Sequence, residues 1–283
     1  MISIVISSYN SSYFQNIQNN IHQTIGVEYE LIQIWNPGIF SINEAYEKGL
    51  NQAKYEYILF IHEDLIFLNN DWGKYLLKFL ELPNVGLIGL AGGNYFPDVP
   101  NDWFITNEYN YINLIHGLGD SEENLRNFEE NFHQVLGLDG VFIFGKKSIF
   151  LEIGFDQNIS GYHAYDLSIS LRTAKKYTNY VINSINVHHF SIGNRTLEWF
   201  NSTIQVHESI TWKFDHPKDK YVEKELFRRF SKYIVHYWGR NLKSLEKIIK
   251  YYPRKYLHGI EHFKTIWFLV KLFTSKKFNN LNI

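Results

Sequence analysis

Through the first half of the chain, short apolar runs alternate with amphipathic stretches, the pattern of a mostly parallel sheet flanked by helices. Ile2-Ser-Ile-Val-Ile6 predicts a buried strand, followed by the polar turn Ser7-Ser-Tyr-Asn10 and a helix over residues 11–25. Glu30 to Trp35 predicts a second strand, closed by the turn signal Asn36-Pro-Gly38. Ser41, with Glu44 three residues on, has capping-box spacing for a helix to about Ala53. Tyr57 to Ile61 predicts a third strand, which runs straight into His62-Glu-Asp64. A helix over 71–82, a strand over 86–90 and a glycine turn at Gly92-Gly93 continue the alternation. Residues 94–135, with Pro97, Asp98, Pro100 and Asp102, read as a loop-rich insertion covering a site. Regular structure resumes at Gly140–Gly145. Helical spacing then runs from Tyr165 to Tyr177, and Tyr180 to Val187 predicts one further strand ending in His188-His189.

From about residue 220 the pattern becomes wholly helical, with apolar stripes such as Leu226, Phe227, Phe230, Ile234 and Tyr237 separated by Lys and Arg. Charge divides the chain at the same place. From Lys218 onward there are sixteen basic and five acidic residues, hence +11, while residues 1–217 carry twelve and twenty-four, hence −12, inside a formal total of −1. The expected organisation is an α/β domain at 1–217 and a basic amphipathic helical module at 218–283; if the module serves only to locate the body, truncation near Lys218 is expected to spare ligand binding. The module has three readings: helices whose charged face is simply solvated, peripheral attachment to an anionic membrane, or docking on the acidic body or a second subunit. Homo-oligomerisation stays open. Nucleic acid is not an expected partner, because the −12 body would oppose it.

Composition narrows the chemistry. With 45% apolar and 20% charged residues the 283-residue chain can bury a sizeable core. No run approaches the ~18–20 apolar residues of a membrane span, and the start reads as a strand rather than a signal peptide. The expected location is cytoplasmic, with the inner face of the membrane added under the membrane reading of the module. There is no cysteine, so any metal must be held by His, Asp or Glu.

In open α/β sheets, ligands bind beyond the carboxyl ends of the strands. Here three such ends carry Ser-Ser-Tyr-Asn, Asn-Pro-Gly and His-Glu-Asp. His62 and Asp64, two residues apart, can project to one side, as an O/N-ligated divalent cation requires, although a strand-end acidic pair is more often a solvated turn or cap. Asp166, in Gly161-Tyr-His-Ala-Tyr-Asp166, opens a predicted helix, where the helix dipole favours an acid and a general base can also sit. His189, in His189-Phe-Ser-Ile-Gly193, alone reads as a surface histidine.

Taken in order, Ser-Ser-Tyr-Asn, Asn36, strand-His-Glu-Asp, Asp139-Gly-Val-Phe-Ile-Phe, Gly-Phe-Asp156, Gly-Tyr-His163-Ala-Tyr-Asp166 and His189-x-Ser-x-Gly resemble the family-2-like glycosyltransferases of the GT-A fold. The resemblance is to the bacterial branch with His-x-Asp in place of Asp-x-Asp, and covers roughly residues 1–215. It implies a metal-dependent inverting transfer from a nucleotide sugar, UDP-linked by preference, to a glycan or lipid-linked hydroxyl in surface polysaccharide synthesis, with Mn²⁺ or Mg²⁺. It also implies residue roles. Ser7, Tyr9, Asn10, Asn36, Glu63, Asp64 and Asp139 would face the nucleotide sugar, and His163 and Tyr165 the acceptor. Asp64, His189 and His62 would hold metal, with His188 a competitor for the place of His189 and the contact of His62 left open. Asp166 would be the base, with Tyr165 standing where the superfamily has Glu.

Two rival readings accompany this one. His258-x-x-Glu261-His262 matches a short zinc-peptidase spacing. A nucleotide-sugar-binding module without turnover would equally tolerate the departures at His62 and Tyr165.

Overall fold

The computed structural model of the chain describes residues 1–191, 193 and 195–275. Its first part runs β1 (Ile2–Ser8), α1 (Ser11–Thr24), β2 (Tyr29–Trp35), α2 (Ile42–Gln52), β3 (Tyr57–Ile61), β4 (Leu65–Phe67), α3 (Trp72–Lys78), β5 (Val85–Gly89) and β6 (Ala91–Gly93). The insertion carries β7 (Asn110–Ile112), β8 (Ile115–His116), β9 (Glu123–Asn124), β10 (Phe132–Val135) and β11 (Gly137–Leu138). Then follow β12 (Phe142–Lys146), α4 (Lys147–Ile153), α5 (Tyr165–Thr173), β13 (Thr178–Ile182), β14 (Val187–His189), α6 (Leu197–Ser209), α7 (Lys220–Trp238), α8 (Leu242–Lys250) and α9 (Ile260–Thr274).

Seven strands form the central sheet in the order β10-β13-β5-β12-β3-β1-β2. β1 pairs in parallel with β2 and β3, and β13 with β5, while β12 and β10 run against their neighbours. Five strands therefore share one direction, giving the mixed, mainly parallel α/β sheet expected from the alternation. β1 is buried almost throughout because both its faces are covered. One face packs Ile17 and Ile21 of α1 and Trp72 of α3; the other packs Ala45 and Tyr46 of α2, Phe150 of α4 and Ile169 of α5.

Local signals fix the starts of the first two helices. Asn10 caps α1, its side chain accepting from the amides of Ser12 and Tyr13, and Ser41 and Glu44 form the capping box on α2. The predicted strand from Tyr180 to Val187 is instead two strands in different sheets, β13 and β14, separated by Asn183-Ser-Ile-Asn186. Polar residues with turn propensity let the chain leave the central sheet there. The loop-rich insertion is likewise not featureless. Its β8 and β9 join β4 and β14 in a four-stranded sheet, and β6, β7 and β11 make a three-stranded one.

Packing is continuous across the compositional boundary at residue 218. Leu226, Phe227, Phe230 and Ile234 of α7 share one cluster with Tyr95, Val99 and Ile105 of the insertion and Phe200 and Ile204 of α6. Beneath it, the buried Glu223 carboxylate accepts from the Tyr95 hydroxyl at 2.7 Å and the Asp98 amide at 3.0 Å. Asp98 in turn accepts from Tyr256 at 2.7 Å and pairs with Lys255 at 2.8 Å and Lys218 at 3.2 Å. Burial works against ionising Asp98, but these partners hold its carboxyl at about 2.

Candidate active site

At the carboxyl end of β3, His62 and Asp64 converge and Glu63 between them parts from both. Glu63 turns inward, 5% exposed, and accepts from the amides of Tyr9 at 3.1 Å and Asn10 at 3.0 Å, which ties the β1–α1 turn to β3. Asn36 is also buried. Its side chain donates to the Phe40 carbonyl at 3.0 Å and the Ser7 hydroxyl at 3.3 Å and accepts from the amides of Ile39 and Phe40, holding the turn after β2. Ser7, Tyr9, Asn36, Glu63 and Asp64 line a cavity of about 190 Å³. Asn10 lies beside it as the cap of α1, and Tyr9 is largely exposed at its edge.

Asp64 and His189 are far apart in sequence, and strand pairing joins them. β14 runs antiparallel to β4 with His189 opposite Leu65, and the Phe190 amide donates to the Asp64 carbonyl at 2.9 Å. His189 Nε2 comes to 3.4 Å from Asp64 Oδ1, and His62 Nδ1 to 4.0 Å from the same oxygen. His188, its neighbour on the strand, faces the other way and bonds the Gly117 carbonyl at 2.9 Å. Among the described residues, His62, Asp64 and His189 are the one set of three whose donor atoms fall within 4.8 Å of one another.

This set fits a divalent cation. Nε2 of His189 is buried without a hydrogen-bond partner, an unmet requirement that a cation beside Asp64 would satisfy. Burial would raise the Asp64 carboxyl, yet His189 and His62 beside it hold it below its ordinary range. The His62 imidazole is held below its own by burial and by His189.

The two departures from the superfamily pattern, His62 and Tyr165, touch each other. Tyr165 OH donates its single proton to the Gly140 carbonyl at 2.9 Å and lies 3.1 Å from His62 Nε2. The hydroxyl must then accept from an Nε2–H, which leaves the lone pair of His62 on Nδ1, the atom that faces Asp64. Gly140 makes the approach feasible, because a Cβ there would stand 2.1 Å from the Tyr165 hydroxyl.

Asp166, in the first turn of α5, accepts from the Gly140 amide at 2.9 Å and its neighbour Leu167 at 2.8 Å. Burial and then the nearby Asp139 carboxylate push it up to about 7. Asp139 itself accepts from the Val141 amide at 2.8 Å. Asp166, Asp139, His163, Tyr165, His62 and His189 line a cleft of about 510 Å³. This cleft and the smaller cavity have His62, Tyr162 and Tyr165 in common, so they meet at the His-Asp-His set. His163 sits further out, 3.4 Å from the Thr196 hydroxyl.

The cleft also holds Asp102, from the insertion expected to cover it, and four residues that sequence reasoning passed over: His116, Trp103, Arg195 and Trp199. His116 has no local signal, since it reaches the site on the two-residue strand β8, its ring centre 5.2 Å from that of His189. Arg195 had one, a cation just beyond the His-x-Ser-x-Gly turn; it donates to Tyr233 at 3.2 Å and faces Asp102 at 4.0 Å. The peptidase-like His258-x-x-Glu261-His262 forms no such set. His258 precedes α9, its amide donates to Glu261, the other Glu261 oxygen accepts from Lys224, and His262 bonds Tyr252.

The sequence profile of the glycosyltransferase-like family matches residues 3–226. The chain belongs to that family. No curated protein sequence matches this glycosyltransferase-like chain. Among solved structures, Staphylococcus aureus TarS 1–349 superposes with a TM-score of 0.58 at 13% identity, covering 100% of this chain and 93% of that one. The same protein in complex with UDP-GlcNAc gives 0.55 at 11% identity, covering 100% and 93%. GalNAc-T7 with UDP, GalNAc and Mn²⁺ gives 0.52 at 13% identity, covering 88% of this chain but only 54% of that one. At these identities the likeness is one of fold, and the fold is GT-A. The described residues include no helix long and apolar enough to cross a membrane.

Proposed function

We propose that this glycosyltransferase moves a sugar from a nucleotide-sugar donor, UDP-linked by preference, to a hydroxyl of a glycan or lipid-linked acceptor in bacterial surface polysaccharide synthesis. The observation that carries the reading is the convergence of His62, Asp64 and His189 where the two cavities meet. The smaller cavity suits the nucleotide, with Ser7, Tyr9, Asn36 and Asp64 in its wall. The larger cleft suits the transferred sugar and the acceptor, with Asp166 and Asp139 at its floor.

His62, Asp64 and His189 would hold Mn²⁺ or Mg²⁺, which when bound supplies positive charge to the donor diphosphate. The chain's own residues do the rest. Tyr165 orients His62, and Glu63 and Asn36 rigidify the turns that would seat the nucleotide. Asp166 takes the proton of the acceptor hydroxyl as its oxygen bonds to the anomeric carbon. The bond from that carbon to the diphosphate oxygen breaks, and the electron pair leaves on the phosphate. One displacement inverts configuration. Two backbone amides occupy one lone pair on each Asp166 oxygen and leave others for the proton.

Release of nucleoside diphosphate from UDP-, GDP- and CMP-sugars, followed with and without Mn²⁺, tests the reading. Turnover of a UDP-sugar that disappears in Asp64→Ala supports it. Tight nucleotide-sugar binding with neither hydrolysis nor transfer would instead identify a binding module.

A further inference from the structure

The last helix leaves one face bare. α9 exposes Ile260, Phe263, Ile266, Trp267 and Val270 at 67, 75, 51, 60 and 44%. At 100° per residue these five fall on one arc, and the buried Thr265 and Leu272 fall on the opposite side. Lys264 and Lys271 border the bare arc, with the Lys271 ammonium 5.2 Å from the Trp267 ring centre. The single acid of the helix, Glu261, lies outside that arc and is paired with Lys224 at 2.6 Å. The apolar surface continues into a groove of about 750 Å³, walled by Leu245 and Ile249 of α8 and by Ile266, Leu269, Val270 and Phe273 of α9.

We infer that this face lies in the interfacial layer of an anionic lipid bilayer. Exposed Trp and Phe flanked by Lys, with no acid among them, suit the boundary between headgroups and acyl chains. The helix has 15 residues, so it lies along the surface rather than across it. Charge selects the lipid over a second copy of the chain. Residues from Lys218 onward carry +11, which anionic headgroups attract and a facing copy of the same module repels. The inference does not depend on the transferase chemistry, because none of these side chains lines either cavity of the site.

The test is co-sedimentation of the full chain with phosphatidylcholine vesicles and with vesicles that also contain phosphatidylglycerol. The wild type is expected to bind the phosphatidylglycerol vesicles about tenfold or more tightly than phosphatidylcholine alone, and less as salt rises. Phe263→Ser/Trp267→Ser should abolish binding, and Lys264→Glu/Lys271→Glu should cost about tenfold. Both variants change exposed positions and should keep the wild-type melting temperature and donor hydrolysis. Wild type that stays in the supernatant overturns the inference, as does unaltered binding by both variants. So does a concentration-dependent dimer, lost in Phe263→Ser/Trp267→Ser, in a protein that ignores vesicles.

Discussion

At Asp166, burial and the Asp139 carboxylate hold the proton more tightly than water would, so the group titrates near neutrality. In its proposed role as base Asp166 must be ionised, so kcat/KM of the wild type should fall as pH drops below about 7, and Asp166→Asn should lower kcat by at least ~10²-fold. Stability follows the opposite course. Because the folded pKa is raised from 3.8 to about 7, the contribution of this group is complete below pH 3.8 and is lost as pH rises through 7. Asp166→Asn should therefore stabilise the fold at pH 8 by roughly 1–2 kcal/mol once the open cleft screens the shift, seen as a higher melting temperature, and leave stability unchanged near pH 4. A melting series across that range checks it. Tyr165→Phe offers a separate test. Removing the acceptor for His62 Nε2–H frees the ring to rotate or change tautomer, so Mn²⁺ affinity, measured by calorimetry on the protein without donor, should weaken about 10–100-fold.

Among the elements, the pairing of β14 with β4 decides which histidine enters the site, because strand neighbours face opposite sides. A manganese titration should lose most of its affinity in His189→Ala and little in His188→Ala. α7 matters for a different reason. Arg229 donates to the carbonyls of Phe104 at 2.7 Å and Ile105 at 3.2 Å and to Asn101 at 2.6 Å, so this helix braces the loop that carries Asp102 and Trp103 into the cleft. Arg229→Ala removes these three bonds and leaves the Phe104 carbonyl only its bond from the Asn101 side chain at 3.0 Å, at a cost of about 1–3 kcal/mol. Acceptor KM should rise while acceptor-free donor hydrolysis persists, and a variant with unchanged acceptor kinetics would assign α7 no such part.

On the scale of the whole molecule, the opposite charges of the two pieces are joined by a shared core and by the Glu223–Tyr95–Asp98 network. Cutting at Lys218 would uncover Tyr95, Val99, Ile105, Phe200 and Ile204 together. A 1–217 fragment is therefore expected to aggregate or melt far below the full chain. Circular dichroism melting of the fragment is the check. Ion pairs across the same boundary predict acid lability. Asp98 and Glu208 are both held at about 2 despite burial, the latter by Lys247, Lys250 and Tyr251. Their stabilisation is present above pH 4–4.5 and lost as pH falls toward 2. Asp98→Asn should remove part of that acid sensitivity and lower stability at pH 7.

The alternation of apolar runs with amphipathic stretches was enough to determine the α/β class, the starts of α1 and α2 and the edge of the sheet that bears the candidate site, because caps and strand burial are encoded within a few residues of where they act. Ordered motifs singled out Asp64, Asp166 and His189, which the fold brings to the walls of the two adjoining cavities. Sequence could not say that β13 and β14 part company, that His62 and Tyr165 satisfy one another, or that His116 arrives on a two-residue strand. It could not show that the basic helices close the same core as the insertion. Each of these depends on pairing between segments tens to more than a hundred residues apart. Such contacts are chosen by register and burial of the whole chain, and only the tertiary structure holds that information.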